Sequence, residues 1–343
     1  MPAEWEPHQA TWLAWPHRAR DWPGRFGPIP WVHADIVKKI AAGETVRVLV
    51  RDAAEEARAR RHLLRHGADL GRVDLRRIPT DRTWARDYGP LFLRRGGERP
   101  GRALAGFRFN GWAKYRDFLR DARVAERAGR ALGLPLLPVE LRGRPVVLEG
   151  GAIDVNGRGT VLATEECLLH PSVQVRNPGF ARQDYETVFR DALGAPNAIW
   201  LGRGIAGDDT HGHVDDLARF VAPGTVVLAR EDDGRDPNHA ALSENRERLA
   251  TARLEDGSRL EVVDLPMPRP ISFDGQRLPA SYANFYVANA AVLVPTFNDP
   301  ADRVALGILG ELFRDRTVTG IHALDLVWGL GTVHCMTQQE PRP

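Results

Sequence analysis

The sequence has two cysteines in 343 residues, and one of them, Cys335, lies near its end in the run GLGTVHCMTQQEP. A thiolate is the strongest nucleophile among protein side chains, but a cysteine with an ordinary pKa of about 8.5 needs help to lose its proton. Gly329 and Gly331 precede it, and glycine lets backbone approach a bound molecule closely. We therefore interpret Cys335 as a candidate nucleophile, whereas Cys167, in the strand-like run ATEECLLH, is predicted to be a core residue.

Polar clusters that could assist such a nucleophile recur along the chain at similar distances. They are TWARDYGP, LEGGAID, HGHVDDLA and SYANFYVA, and the run VHCMTQQ is the fifth. Between Asp87, Glu149, His213, Asn284 and Cys335 the intervals are 62, 64, 71 and 51 residues. Carboxylates, a histidine and a thiol are the groups of acid–base and nucleophilic catalysis, so we expect these clusters to meet in one site.

Helical and strand patterns alternate between the clusters. Apolar residues three and four apart predict helices over 31–43, 52–67, 117–133, 182–194, 239–253 and 301–315. Several of these segments end at a glycine, which is the usual helix stop. Apolar runs joined by turn residues predict strand pairs over 88–107, 152–164, 217–229 and 285–297, the first of them through a Gly-rich turn.

A unit of one helix, one strand pair and one polar cluster that recurs in this way is typical of ring-shaped repeat folds. We predict an α/β propeller made of five such units, formed as one domain by residues 1–343. Equivalent loops would then converge on the central axis, which would bring residues far apart in the sequence into one site.

Composition argues against several classes of protein. The net charge is only +2 and the arginines are scattered, often one helical turn from an acidic residue, so the sequence does not predict a nucleic-acid-binding surface. No run reaches the roughly 18 apolar residues of a membrane span, and the acidic start MPAEWEPHQ is unlike a signal peptide. Two distant cysteines do not suggest a disulfide framework, and we expect a cytoplasmic protein.

Several motifs together resemble those of the agmatine deiminase family, which is related to the bacterial peptidylarginine deiminases. They are MPAEWEPHQATWLAWP, WARDYGP, LEGGAIDVNGRGTVLATEECLL, GDDTHGHVDDLARF, YANFYVANAAVLVP and HCMTQQEP, in order from the first residues to the last. The resemblance implies the pentein fold, an α/β propeller of five ββαβ-type units. It also implies hydrolysis of a guanidino group, in the founding case agmatine to N-carbamoylputrescine and ammonia, with neither metal nor organic cofactor.

Roles for the catalytic residues follow from this resemblance and from the chemistry. Cys335 would attack the guanidinium carbon to form a covalent thiouronium intermediate. His213 would protonate the departing amine and then activate water, for which a side chain that titrates near neutral pH is suited. Asp87 and Asp215 would hold the planar cation, since carboxylates pair with guanidinium groups through two hydrogen bonds. Glu149 would orient His213 or take part of the guanidinium.

Other residues would contact the rest of the substrate. Asn284 is the fifth member of the site, and Trp84 and Trp112 are candidates to line the aliphatic tail. The family commonly has Asp-Glu-Thr-Asn where this chain has DDTH, so Asp209 replaces, with one methylene fewer, the Glu that meets the far amine of agmatine. The family's usual Gly-Gly-Gly-Asn is also replaced, by Gly-Leu-Gly-Thr before Val-His-Cys.

Four alternatives remain open from the sequence. The substrate could be another guanidino compound or peptidyl-arginine instead of agmatine. An amidinotransferase of the same fold would pass the thiouronium carbon to an amine. A metal-dependent amidohydrolase would use His211 and His213, since a His-Gly-His spacing also suits a metal. A ring-shaped binding protein without catalysis is the fourth. We expect a small cationic substrate and no nucleic-acid or membrane partner, and the sequence leaves a homo-oligomer open.

Overall fold

The strand pairs predicted from the sequence occur as antiparallel hairpins in the computed structural model, which describes residues 1–96 and 101–343. The predicted Gly-rich turn between the first two paired strands falls largely on residues 97–100, which lie outside the described residues. The strands are β1 (His8–Ala14), β2 (Thr45–Val50), β3 (Val73–Arg77), β4 (Leu91–Arg95), β5 (Gly101–Gly106), β6 (Leu136–Pro138), β7 (Glu140–Leu141), β8 (Arg144–Pro145), β9 (Asp154–Val155), β10 (Thr160–Thr164), β11 (Asn197–Leu201), β12 (Ala218–Ala222), β13 (Thr225–Arg230), β14 (Glu261–Pro266), β15 (Ser272–Phe273), β16 (Gln276–Arg277), β17 (Tyr286–Val287), β18 (Ala291–Thr296), β19 (Thr317–His322) and β20 (Gln338–Pro341).

The helices agree with the predicted segments in most cases. They are α1 (Ile29–Ala41), α2 (Ala53–His66), α3 (Ala85–Tyr88), α4 (Val124–Leu132), α5 (Glu165–Leu169), α6 (Arg182–Val188, extended by a π-helical turn, Phe189–Leu193), α7 (Pro237–Thr251), α8 (Ala301–Leu312) and α9 (Val333–Met336). The helix predicted over 117–133 is shorter, because 117–120 form a loop before a 3-10 turn at Asp121–Arg123. No helix within the described parts of the chain has the length and apolar character needed to cross a bilayer.

Four sheets repeat one arrangement, and each contains a strand that the local patterns did not predict, although the ββαβ units implied by the family resemblance include it. In the sheets β4-β5-β6, β9-β10-β11, β12-β13-β14 and β17-β18-β19 an antiparallel pair is followed by a helix and by a third, parallel strand. All five residues of the central strand β10 are buried, as expected for a strand that has a neighbour on each edge and is covered on both faces. The unit is therefore ββαβ.

The fifth sheet joins the two ends of the chain. Its order is β20-β1-β2-β3, in which β1 pairs antiparallel with β20 and parallel with β2. Strand β20 comes directly after α9, the turn that carries Cys335, so it takes the place of the first hairpin strand of this unit. The unit that holds the candidate nucleophile is complete only when the N-terminal strand pairs with the C-terminal strand.

Local sequence explains where individual helices start and stop. In α2 the side chain of Asp52 accepts a hydrogen bond from the backbone N–H of Glu55 at 2.8 Å, which caps the helix start. The helix ends at Gly67, whose φ of 76° is in the left-handed region that glycine adopts without steric cost. Such caps are encoded within a few residues, which is why this helix was predictable.

Candidate active site

The five polar clusters lie in short helical turns or tight loops that directly precede strands. Asp87 is in α3, Glu149 precedes a 3-10 turn at Gly150–Ala152, and His213 precedes a 3-10 turn at Val214–Asp216. Asn284 comes just before β17, and Cys335 is in α9. All five side chains are buried, and contacts between them show that the ring brings them together as predicted.

Cys335 lies between an amide and a carboxylate. The side-chain Nδ2 of Asn284 donates a hydrogen bond to Sγ of Cys335 at 3.1 Å, and Oδ2 of Asp215 is 3.9 Å from the same sulfur. Burial raises the pKa of the Cys335 thiol well above its ordinary value, and the neighbouring carboxylates Asp215 and Asp216 raise it further. A thiol in this setting holds its proton until a cation offsets the negative field around it.

His213 is surrounded by carboxylates at distances longer than a hydrogen bond. Its Nδ1 is 3.7 Å from Oδ1 of Asp87 and 4.0 Å from Oδ1 of Asp215, and its Nε2 is 3.8 Å from Oε2 of Glu149. Within the described residues neither ring nitrogen has a hydrogen-bond partner. Burial opposes protonation, but Asp87 and the other acids outweigh it and raise the pKa of His213 well above 6.5.

Asp87 is held on both oxygens. Its Oδ1 accepts from the backbone N–H of Gly151 at 3.1 Å, and its Oδ2 accepts from Nε1 of Trp112 at 2.8 Å. Burial raises the pKa of Asp87 to about 6, although the nearby His213 acts in the opposite direction. Gly151 is required here, because a Cβ would stand 2.6 Å from Nδ1 of His213 and 2.8 Å from Oδ1 of Asp87.

Asp215 is the end of a buried chain of charged groups. Its Oδ2 is 2.6 Å from Nδ1 of His334, whose Nε2 is 2.8 Å from Oε2 of Glu4. Glu4 also receives a guanidinium hydrogen from Arg86 and forms an ion pair with Arg219, at 2.9 Å in each case. Burial acts against ionisation of Asp215, but the hydrogen bond with His334 keeps its pKa below the ordinary value. Oδ2 of Asp215 is therefore held in position by His334.

Glu149 has a partner that no pattern in the sequence indicated. The Nε of Arg176 lies 3.1 and 3.3 Å from the two carboxylate oxygens of Glu149, and both side chains are entirely buried. Despite the opposing effect of burial, Arg176 lowers the pKa of Glu149 to about 2. Arg176 itself is held by the carbonyl oxygens of Gln174 and Thr210. Glu149 is thus a permanently ionised group beside His213.

Two more residues of the site were missed or assigned elsewhere. Oδ1 of Asp216 accepts from Nδ2 of Asn284 at 2.9 Å, and burial next to Asp215 raises the pKa of Asp216 well above its ordinary value. Cys167 is a buried core residue, as predicted, but its sulfur also lies within 4.8 Å of ligand atoms of both Glu149 and His213. The motif HGHVDD contained the signal for Asp216, whereas the position of Cys167 had no signal in the sequence.

The polar clusters border a cavity of about 420 Å³. Its walls include the predicted Trp84, Trp112 and Asp209 together with Asp87 and Cys335. Gly329 lines the cavity, and a Cβ there would stand 2.6 Å from Nε1 of Trp22. A Cβ at Gly331 would stand 2.8 Å from the indole of Trp84, so the two glycines make room for these indoles. Between them Leu330 lines the cavity with a φ of 69°, a left-handed conformation that usually belongs to glycine.

Toward the solvent the cavity is lined by paired charges. Asp117 forms ion pairs with Arg18, Arg20 and Arg82. Asp21 forms ion pairs with Arg18 and Arg82. Asp209, the predicted partner of the substrate's far amine, accepts a hydrogen bond from the hydroxyl of Tyr115 at 2.6 Å and forms an ion pair with Lys114. The carboxylate of Asp209 therefore already has a cationic partner, Lys114, within the protein.

The positions of the histidines bear on the metal alternative. Nδ1 of His211 lies 3.6 Å from Oε1 of Glu166, and its ring packs edge-on against His170. Over residues 1–96 and 101–343 no three-residue group with metal-ligand spacing includes His211. Two groups do have ligand atoms within 4.8 Å of one another: Glu149, Cys167 and His213, and Asp215, Asp216 and Cys335. In the first group the guanidinium of Arg176 contacts Glu149, and its charge opposes a bound cation. His211 and His213 therefore do not share a three-residue group with metal-ligand spacing within the described residues.

Comparisons with known proteins cover the whole chain. The model of a family described as Porphyromonas-type peptidyl-arginine deiminase matches residues 1–341. A protein of Stutzerimonas stutzeri named agmatine deiminase is 36% identical over all of this chain and 95% of its own length. The structure of agmatine deiminase from Enterococcus faecalis superposes with a TM-score of 0.90 at 30% identity, covering 100% of this chain and 95% of that one.

A more distant match bears on the fold alone. An amidinotransferase of Microseira wollei covers 100% of this chain and 96% of its own, with a TM-score of 0.52 at 14% identity. Together with the agmatine deiminase structure, it confirms the predicted α/β pentein fold.

Proposed function

The chain belongs to the Porphyromonas-type peptidyl-arginine deiminase family, and we propose that it hydrolyses the guanidino group of agmatine, giving N-carbamoylputrescine and ammonia. The observation that carries this proposal is the arrangement at the base of the cavity. There the sulfur of Cys335 adjoins Asp215, and Asp215 and Asp87 flank His213. A nucleophile, a proton carrier and two cation-binding carboxylates are the groups that deimination requires.

The carboxylates support binding of a guanidinium. Asp87 and Asp215 are buried near each other, and the pKa of Asp87 is raised to about 6 by burial and, to a smaller extent, by the charge of Asp215. A planar cation with several N–H donors would neutralise that charge and hydrogen-bond to both carboxylates. Oδ1 of Asp215 has no hydrogen-bond partner within the described residues, so it remains available as an acceptor.

The substrate itself would activate the nucleophile. The pKa of the Cys335 thiol is raised by burial and by acidic neighbours, so the cysteine does not begin as a thiolate. A bound guanidinium places positive charge against the same carboxylates and lowers that pKa, and the proton leaves to solvent. Reactivity is thereby restricted to the complex with a cationic substrate.

His213 would carry protons in both halves of the reaction. The thiolate of Cys335 forms a bond to the guanidinium carbon, and protonated His213 gives its proton to the nitrogen that leaves as ammonia. Neutral His213 then takes a proton from water while the water oxygen bonds to the same carbon. The carbon–sulfur bond breaks as the added hydroxyl group loses its proton to solvent, which returns the thiolate and releases the ureido product. The raised pKa of His213 suits it for the first of these steps.

Selection of agmatine would depend on Asp209. A carboxylate at the far end of the cavity attracts the ammonium of a guanidino-alkylamine and repels the carboxylate of arginine.

The proposal also includes a single catalytic domain, supported by the pairing of β1 with β20. It further includes a reducing cytoplasmic setting, in which Cys335 remains a free thiol. Assembly into a homo-oligomer stays a prediction.

The experiment is a panel of guanidino compounds assayed for both ammonia and the ureido product, without an added amine. The panel contains agmatine, arginine, 4-guanidinobutyrate and a blocked peptidyl-arginine, and Cys335→Ala is the control. Release of ammonia from agmatine at a higher kcat/KM than from arginine is the expected result. An enzyme that releases ammonia only when an amine acceptor is supplied would be an amidinotransferase and would contradict the proposal.

The same panel run on Asp209→Asn tests how the tail is recognised. The agmatine-to-arginine ratio of kcat/KM is expected to fall, because the substitution removes the negative charge without changing the side chain's size. An unchanged ratio would show that Asp209 does not contact the tail.

A further inference from the structure

Lys114 and Asp209 form an ion pair at the outer end of the cavity. The side chain of Asp209 is 17% exposed and that of Lys114 is 40% exposed, so the carboxylate faces the cavity while the lysine reaches it from the solvent side. The second oxygen of Asp209 accepts from the Tyr115 hydroxyl at 2.6 Å. Both oxygens of the carboxylate proposed to bind a substrate ammonium are therefore engaged by the protein, one of them by another ammonium.

One short segment connects this pair to the reacting end of the site. Trp112, two residues before Lys114, donates its indole N–H to Asp87 at 2.8 Å. Trp112 and Ala113 have φ values of 58° and 53°, and the backbone N–H groups of Lys114 and Tyr115 both donate to the carbonyl of Gly111. This tight turn places Trp112 against Asp87 and Lys114 against Asp209. The position of the Lys114 ammonium is thus defined relative to the reacting end.

We propose that Lys114 is a specificity-determining residue, whose ammonium occupies the place on Asp209 that the far ammonium of a guanidino-alkylamine would take. The substrate must displace Lys114, whose partly exposed side chain can turn into solvent. This inference rests on the proposed function, because it assumes a guanidinium bound at Asp87 and Asp215. The lysine acts as an internal competitor that weakens binding of a dication but does not affect a guanidine with an uncharged tail.

The size of the effect follows from the strength of such pairs. A partly exposed ion pair contributes up to roughly 1 kcal/mol, which corresponds to about fivefold in an equilibrium constant. The apparent affinity of a ligand is reduced by the fraction of protein in which its site is available. Removing Lys114 should therefore tighten binding of a dication by roughly two- to fivefold.

The test compares agmatine with butylguanidine, which has the same four-carbon chain but lacks the terminal ammonium. Dissociation constants are measured by titration calorimetry in a Cys335→Ala background, so that no turnover interferes. Lys114→Met is expected to tighten agmatine binding by roughly two- to fivefold relative to butylguanidine. Adding Asp209→Asn should abolish that gain, and Lys114→Arg, which keeps a cation, should show none.

Lys39→Met is the matched control, because Lys39 also pairs with an aspartate, Asp35, but on helix α1 away from the cavity. An agmatine-to-butylguanidine ratio that stays the same or falls in Lys114→Met overturns the proposal, and so does an equal gain in Lys39→Met. If neither compound binds any variant, the inference is also overturned. Binding with the expected ratio but without ammonia release when Cys335 is intact would instead overturn the proposed function and leave the inference standing.

Discussion

The side-chain amide of Asn284 donates a hydrogen bond to the sulfur of Cys335 at 3.1 Å, although the two residues belong to different units of the ring. The same amide group donates to Oδ1 of Asp216 at 2.9 Å, and the Asn284 carbonyl oxygen accepts from the hydroxyl of Thr332 and the backbone N–H of His334. Asn284 therefore links the turn that carries the nucleophile to the acidic turn beside it. This link sets the direction in which the sulfur faces the cavity.

The two cysteines are expected to differ in their effect on turnover. Cys335→Ala should lose essentially all activity, because no other thiol contacts Asn284 and Asp215 in the described parts of the chain. Cys167→Ala should remain active, since its sulfur packs in the core and only lies near His213. Its decrease should be far smaller than the ~10²–10⁴-fold expected for loss of an acid–base group. Intact-mass measurement after quenching during turnover should show an adduct on Cys335 alone. Full activity of Cys335→Ala would end the proposed mechanism.

Asp87 should make both activity and stability depend on pH around 6. Its pKa is raised to about 6, so kcat/KM is expected to fall as pH drops below that value and the guanidinium loses one carboxylate partner. The sign for stability is opposite. A raised pKa means that the folded state binds this proton more tightly than the unfolded state, so the group stabilises the fold below about pH 4 and loses that contribution as pH rises through 6.

The variant Asp87→Asn separates these two effects. It should be inactive at every pH, and it should melt at a higher temperature than the wild type at pH 8, where the wild-type carboxylate is ionised. At pH 5, where the wild-type group is mostly protonated, the difference in melting temperature should be smaller. Melting curves at the two pH values, with Asp69→Asn at an exposed helix start as a control, measure this. Equal differences at both values would contradict the raised pKa.

Arg176 is expected to be essential for stability because it is the partner of a buried carboxylate. In Arg176→Met the side chain keeps much of its volume but leaves Glu149 without its counter-ion, and breaking a buried pair in this way costs about 3–5 kcal/mol. Glu149 should then take up a proton, since its pKa of about 2 depends on Arg176. Denaturant unfolding measures the loss. The double variant Arg176→Met with Glu149→Gln should recover part of it, and no recovery would show that Arg176 acts through packing alone.

Activity is expected to survive chelation. In the proposed mechanism the thiol of Cys335 supplies the nucleophile and the ring of His213 the proton. The charge of Arg176 opposes a cation at Glu149. Prolonged dialysis against a chelator, followed by the ammonia assay, tests this, with Cys335→Ala as the inactive control. Loss of activity on chelation with recovery on added zinc would revive the metal-dependent alternative.

The sequence by itself determined the local elements and the chemical nature of the site. Hairpins such as 152–164 and the helix that ends at Gly67 depend on turn residues, caps and periodicity within a few positions, and these are readable without a structure. The common spacing of Asp87, Glu149, His213 and Asn284 indicated a ring, because equivalent positions in repeated units meet at the axis. The family motifs then supplied the chemistry expected of Cys335.

The tertiary structure alone decided which distant side chains pair. The partnership of Arg176 with Glu149, and that of Lys114 with Asp209, join loops whose spacing contains no periodic signal. The pairing of β1 with β20 likewise depends on closure of the ring, which no local pattern reports. The surroundings of each buried group also set its protonation state. The pKa of Glu149 is lowered to about 2 by an adjacent guanidinium, whereas the pKa of Asp87 is raised to about 6 by burial and neighbouring acids. The charge of a buried group depends on what surrounds it in space, and only the folded chain determines those neighbours.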